Sequence, residues 1–343
     1  MMNSVNEMPS NNFKPFFLIT IDVEGDNLWS KHRKITTRNA DFLPRFQSLC
    51  ESFGLKPTYL TDYEMANSPA FQDLGRDVIK NKTGEIGMHL HAWNTPPIEP
   101  LTEDDYDYVP YLIDYPRDII KEKITYLKKL LEDNFKVKIV SHRSGRWAFN
   151  ETYAQILAEH GFKVDCSVTP HVSWKFYKGA PNGDGGTDYT HFPENCYFLD
   201  LNDISKPGNS SLLEVPLTIF SKEKPILDLY HKKVNQTFKN HSIARKVLIR
   251  LMPNVMWFRL GYYSNTAKDL LNMINQSLIE KRTYVEFMMH SFDLMPGINP
   301  SYPKERHIND LYKDLKLLFN EVSKYFRSAT LAEFYDHMKR QKD

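Results

Sequence analysis

The chain has 343 residues, 41% of them hydrophobic and 25% charged, enough to build a sizeable globular core. Its 44 Lys and Arg nearly cancel its 43 Asp and Glu, which argues against a nucleic-acid or anionic-lipid partner drawn by net charge. The three cysteines, Cys50, Cys166 and Cys196, have neither metal-type nor redox spacing, and a set this sparse suggests a reducing compartment.

Residues 1–13 are polar and read as a disordered tail without a secretory h-region. With no window long and apolar enough to span a membrane, the expectation is a cytoplasmic protein without a membrane span. From residue 14 onward, short apolar runs alternate with segments of helical spacing, as in an α/β fold built on parallel strands. Strands are expected at 16–21, 57–60, 85–89, 137–141, 163–166, 212–215 and 283–289. Helical patterns cover 39–53, 116–132, 151–160, 266–280 and 308–325, and 329–339 closes the chain. Residues 14–343 are read as one domain with insertions near 94–115, 174–197 and 221–259. The first two are rich in Pro, Tyr, Gly and acids and read as loops, the third as a helical cap.

The first strand ends in Asp22-Val-Glu24, the third in His89-Leu-His91, the fourth in His142-Arg143, the fifth in Asp165 and the last in His290. Strand C-termini in a parallel barrel share one end, where active sites form. Residues two apart on an extended segment point the same way, so Asp22 and Glu24 can face one mouth together, and so can His89 and His91. One carboxylate suits a metal and the other a base; the plain alternative is a solvated acidic turn. Two histidines and a carboxylate with open positions suit a hydrolytic metal site, in which a metal lowers the pKa of bound water. Arg143 is suited to clamp a carboxylate, and Arg146 is as readily a surface residue. His290, beside apolar neighbours, suits a general acid.

In this order the segments resemble the motif series of the NodB-type polysaccharide deacetylases, carbohydrate esterase family four. Ile21-Asp22-Val23-Glu24-Gly25-Asp26 is similar to the first motif, and Glu85-Ile86-Gly87-Met88-His89 to the approach of the second. His142-Arg143-Ser144-Gly145 is similar to the third, 164–170 to the fourth, and Met288-Met289-His290 to the fifth. The resemblance spans about 16–334 and implies an irregular (β/α)7-type barrel, the NodB homology fold.

It also implies the roles. Asp22 would be the base, oriented by Arg143, and His290 would protonate the leaving amine. Glu24, His89 and His91 would bind one divalent ion, expected to be zinc, with cobalt or nickel as alternatives. Trp93, Arg146, Trp147, Asp165 and Trp174 are the candidate substrate contacts. The activity implied is removal of N-acetyl, or O-acetyl, groups from a sugar of a bacterial surface polysaccharide or its precursor. The branch it looks closest to serves surface-polysaccharide and lipopolysaccharide biosynthesis. Two departures stand out. The family's second motif places three residues between its histidines; here one separates them and Trp93 fills the usual position. Either His91 takes the second ligand place or the metal site is altered. The usual adjacent acid pair is also replaced by Asp-Val-Glu. The rival readings are an inactive carbohydrate-binding protein on the same fold, a metal-free glycosidase using Asp22 and Glu24, and an unrelated metal-dependent barrel.

Overall fold

The computed structural model describes residues 14–30, 33–221, 233, 255–261 and 265–342. Twelve strands are present among them: β1 (Phe16–Val23), β2 (Pro57–Thr61), β3 (Glu85–Leu90), β4 (Ser141–Ser144), β5 (Val164–Asp165), β6 (Tyr197–Asp200), β7 (Asp203–Pro207), β8 (Leu213–Glu214), β9 (Ile219–Ser221), β10 (Val255–Trp257), β11 (Tyr284–His290) and β12 (Arg327–Ser328). The main sheet runs β11-β1-β2-β3-β4-β5-β8-β6-β7, with β12 on the starting edge of β1. Its first seven strands are mutually parallel and correspond in chain order to the seven expected runs, with β4 displaced toward the C-terminus, while β6 and β7 are antiparallel additions.

The parallel run curls into a half-barrel. No ladder joins β8 to β11 among the described residues. The segment after β8 crosses that gap instead: Tyr284 Oη donates to the Pro216 carbonyl at 2.6 Å and the Glu286 N–H to Thr218 Oγ1 at 2.9 Å.

Period-two alternation sorts the strand residues. On β1, Phe17, Ile19, Ile21 and Val23 join the large outer core beneath the helices, while Phe16 and Leu18 join the smaller inner core. The inner column continues upward through Thr20 to Asp22, both buried. The final helix supplies Leu331, Phe334 and Tyr335 to that inner core and plugs the barrel floor. Apolar packing thus fills the bottom of the barrel, and polar residues crowd its top. Each fully buried aliphatic or aromatic side chain contributes about 1.5–3 kcal/mol.

The helices are α1 (Leu43–Ser52), α2 (Tyr63–Ala66), α3 (Pro69–Asn81), α4 (Asp105–Tyr108), α5 (Arg117–Phe135), α6 (Glu151–Glu159), α7 (Ala267–Ile279), α8 (Glu305–Tyr325) and the floor helix α9 (Leu331–Lys342). α8 shows why they form: Ile308, Leu311, Tyr312, Leu315, Leu318, Phe319 and Val322 fall on one stripe and are all buried. Thr266 and Asp269 form a reciprocal capping box at the start of α7.

Several expectations shift. The strand expected at 137–141 begins only at Ser141: α5 runs on to Phe135 and ends at left-handed Lys136, which leaves 137–140 as the approach. The helix expected from 39 opens as a 3-10 turn over Arg38–Phe42, and the α-helix starts at Leu43, where Pro44 lacks the N–H needed for continuous pairing. The 94–115 insertion is loop-like but carries α4 and a 3-10 turn at Leu112–Asp114. Residues 174–197 are irregular up to β6, held by a bridge between Ser173 and Asp188. The helical cap expected over 221–259 falls mostly on 222–232 and 234–254, outside the described residues, as does the tail at 1–13; β10, at its end, pairs antiparallel with β9. No helix among the described residues is long and apolar enough to cross a membrane.

Candidate metal centre and catalytic cleft

Sheet register brings the site together. Asp22 is the Cα partner of His290 across β1 and β11, and His89 is the partner of Arg143 across β3 and β4. These residues occupy inward positions at the upper ends of their strands, and Glu24 and His91 follow one step beyond β1 and β3. Asp22, Glu24, His89 and His290 line a cavity of about 390 Å³ together with Arg146, Trp147 and Trp174, while Arg143 and His91 lie behind that wall.

Glu24 Oε1 lies 2.9 Å from His89 Nε2 and 3.0 Å from His91 Nε2. Its other oxygen accepts a 2.9 Å hydrogen bond from the Trp29 indole. His89 Nδ1 donates to the Arg143 carbonyl at 2.9 Å, which fixes the ring and aims Nε2 at Glu24. His91 packs over Gly145, where an added Cβ would come within 2.4 Å of its Nδ1. Ligand atoms of Glu24, His89 and His91 all lie within 4.8 Å of one another, as do those of Asp22, Glu24 and His290.

This donor set fits a divalent ion. Burial opposes charge on Glu24, yet His290, His91 and two imidazole hydrogen bonds hold its carboxyl well below the usual carboxylate range. Burial also opposes charge on His89, but Asp22 and Glu24 outweigh it and raise its pKa, while burial keeps His91 low. With Nδ1 spent on a carbonyl, His89 Nε2 meets Glu24 only by carrying a second proton. That is the proton a metal ion would displace.

Asp22 Oδ1 accepts a 2.6 Å hydrogen bond from Arg143 Nη1, and its Oδ2 lies 3.8 Å from His290 Nε2. Burial raises the Asp22 pKa, but Arg143, His89 and His290 pull it below the ordinary carboxylate range. His290 is held below the ordinary histidine range by burial and by the Arg259 charge, and its ring stacks on Phe292 with centroids 4.7 Å apart. Arg143 is fully buried and also engages Thr20, Glu286 and the Cys166 carbonyl. Burial pushes the Glu286 carboxyl up to about 7 despite Arg143.

The expected substrate contacts divide. Trp147 and Trp174 line the cavity; so does Arg146, which stacks over Tyr111 at 3.9 Å and donates to the Val109 carbonyl. Arg146 and Trp147 are both left-handed, at φ 57° and 60°, a conformation costing a side-chain-bearing residue roughly 1–2 kcal/mol. Trp93 is not among the lining residues: it is 2% exposed and packs behind His91, with ring centroids 4.7 Å apart. Asp165 does not reach the cleft. Val164 and Cys166 take the inward positions, so Asp165 between them faces the helix layer, where its carboxylate binds His142 at 2.6 Å and the Ser167 hydroxyl.

Sequence reasoning missed Trp29, Tyr111, Tyr177, Arg259 and Phe292, which line the cleft from loops without a motif. It also missed Thr20 and Glu286. For Glu286 a signal existed: a carboxylate inside the apolar run YVEFMMH, four residues before His290 and therefore on the same strand face.

No family model and no curated protein matches the chain. Solved structures do. A protein from Mycobacterium smegmatis assigned as a polysaccharide deacetylase superposes with a TM-score of 0.55 at 13% identity, over 99% of this chain and 96% of that one. A protein from Parabacteroides distasonis assigned as a glycoside hydrolase/deacetylase gives 0.57 at 11% identity, over 97% of this chain and 73% of that one. A 4-alpha-glucanotransferase from Thermococcus litoralis gives 0.51 at 12% identity, over 94% of this chain and 40% of that one. At these identities the likeness establishes the fold, an α/β half-barrel of the NodB type.

Proposed function

We propose that the chain is a metal-dependent carbohydrate deacetylase of the NodB type, carbohydrate esterase family four. It removes N-acetyl, or O-acetyl, groups from a sugar of a bacterial surface polysaccharide or its precursor. The observation carrying this reading is the meeting of Glu24, His89 and His91 ligand atoms beside Asp22, itself held by a buried arginine and facing His290.

Glu24, His89 and His91 would hold the ion, and two imidazoles with one carboxylate suit zinc, with cobalt or nickel as alternatives. When bound, a divalent ion supplies Lewis acidity that polarises an acyl carbonyl and acidifies water. Asp22 is ionised at neutral pH, and Oδ2, the oxygen not bonded to Arg143, takes a proton from the attacking water. Arg143 fixes the plane of that carboxylate through Oδ1. His290 Nε2, 3.8 Å from Asp22 Oδ2, takes up that proton from Asp22 and passes it to the departing nitrogen, so that acetate and amine separate and both side chains return to their starting states. The indole and phenol faces of Trp29, Trp147, Trp174 and Tyr177 give sugar rings apolar surfaces to stack on.

A glycosidase is the second reading, favoured by the likeness to a glucanotransferase and by two carboxylates at one strand end. It leaves the two histidines on Glu24 without a role. The test is His89→Ala, with metal content, acetate and new reducing ends measured on an N-acetylated oligosaccharide. Loss of bound metal and of acetate release together supports the deacetylase; unchanged acetate release rejects this metal site, and new reducing ends without acetate would favour the glycosidase.

A further inference from the structure

A buried guanidinium opposite a carboxylate ordinarily forms two parallel hydrogen bonds, because its planar fork matches two oxygens. Arg143 and Asp22 do not pair that way. Arg143 gives Asp22 only Nη1, at 2.6 Å from Oδ1. Nη2 donates to Thr20 Oγ1 at 2.9 Å and to Glu286 Oε1, and Nε donates to the Cys166 carbonyl at 3.1 Å. Each two-nitrogen edge of the guanidinium is therefore divided between different acceptors. Asp22 Oδ2 keeps its place 3.8 Å from His290 Nε2.

Glu286 is what holds Nη2. It lies on the same face of β11 as His290 and is fully buried, as is Thr20. The Thr20 hydroxyl accepts from Nη2 and donates to Glu286 Oε1 at 2.7 Å, closing a three-membered ring with the arginine. The Glu286 backbone N–H is pinned by Thr218 Oγ1 at 2.9 Å, which fixes the strand from which the carboxylate projects.

We propose that Glu286 is a positioning residue that keeps Arg143 Nη2 off Asp22, so that Asp22 Oδ2 stays open to take the proton from water. The inference rests on the deacetylase reading for its kinetic consequence, but its geometric consequence stands alone. Without an acceptor at position 286, Nη2 turns onto Oδ2, the pair becomes two-pronged, and the open oxygen of the base is lost.

The experiment uses the full chain reconstituted with Zn²⁺, with kcat expressed per bound ion, on Glu286→Met and Glu286→Gln, together with crystal structures of both. Glu286→Gln keeps an oxygen acceptor and is expected to stay within about threefold of wild-type kcat. Glu286→Met is expected to lose about tenfold or more in kcat with KM unchanged, and to show Arg143 bonded to both Asp22 oxygens. Wild-type kcat in Glu286→Met, or an unmoved Arg143 in its structure, overturns the proposal. If Glu286→Met does not fold, Thr20→Val, close in volume and lacking the clamping hydroxyl, must show the same kcat-only loss; wild-type kcat there overturns it equally. If the wild type releases no acetate, the deacetylase reading fails, and the position of Nη2 in the Glu286→Met structure still decides this one.

Discussion

Asp22 and His290 are Cα partners in the parallel ladder between β1 and β11, and His290 Nε2 lies 3.8 Å from Asp22 Oδ2. The candidate base and acid are thus placed by the register of two adjacent strands rather than by loops. Such placement holds two groups near the reacting position before substrate arrives. Asp22→Asn keeps an amide oxygen for Arg143 Nη1 but cannot take a proton at neutral pH. The expected outcome is a loss of about 10²–10⁴ in kcat with metal content unchanged, read from acetate release and metal analysis on the same sample. A variant retaining wild-type kcat would remove Asp22 from the base role.

Gly145 supports His91 from behind. An added Cβ would lie 2.4 Å from His91 Nδ1 and 2.6 Å from the Leu90 carbonyl, so the ring or the strand end must move. Gly145→Ala is expected to weaken metal binding by about 10–100-fold, the effect typical of disturbing a ligand's support. It should cost about 1–3 kcal/mol of metal-free stability, as overpacking does. Competition titration with a chromogenic chelator reads the first and urea unfolding the second. Unaltered metal affinity would mean His91 is not a ligand.

Stability of the metal-free protein should depend on pH through Glu286. Burial raises its folded-state pKa from 4.5 to about 7. The folded state therefore binds a proton that the unfolded state releases between those values. Its contribution is full below 4.5 and is lost as pH rises through about 7. Asp22 and Glu24 act oppositely: their folded pKa values are depressed, so their contribution is present above the ordinary carboxylate range and is lost as pH falls below it. Glu286→Gln should flatten the decline in stability between pH 5 and 8 in urea titrations, leaving the acid limb in place. A decline of wild-type steepness in that variant would assign the effect to another group.

Much of this site was legible because strand ends carry their chemistry in local sequence. Asp22-Val-Glu24 and His89-Leu-His91 have a two-residue period, and in the fold each pair does project to one side. The same rule, applied on β5, two strands beyond β3, explains why Asp165 does not reach the cleft. Its flanking residues, Val164 and Cys166, face the barrel interior, so period two turns Asp165 outward to His142. Trp93, expected among the substrate contacts, is instead buried behind His91.

Loop residues were not legible in that way. Trp29 reaches Glu24 from a 3-10 turn at Leu28–Ser30, and Arg259 and Phe292 reach the cleft from the segments that follow β10 and β11. Their positions depend on how distant segments pack, which no local period encodes. The fold itself followed from seven apolar runs, while the failure of the sheet to close between β8 and β11 is a property of the assembled barrel.

The most direct test of the central claim is acetate release from an N-acetylated oligosaccharide by the wild-type chain, measured after chelation and again after Zn²⁺ is restored. The expected result is no acetate from the chelated protein and recovery with one equivalent of ion, because the ligand atoms of Glu24, His89 and His91 converge within 4.8 Å of one another. Acetate release that survives complete removal of metal would contradict it, as would its absence when zinc, cobalt or nickel is bound.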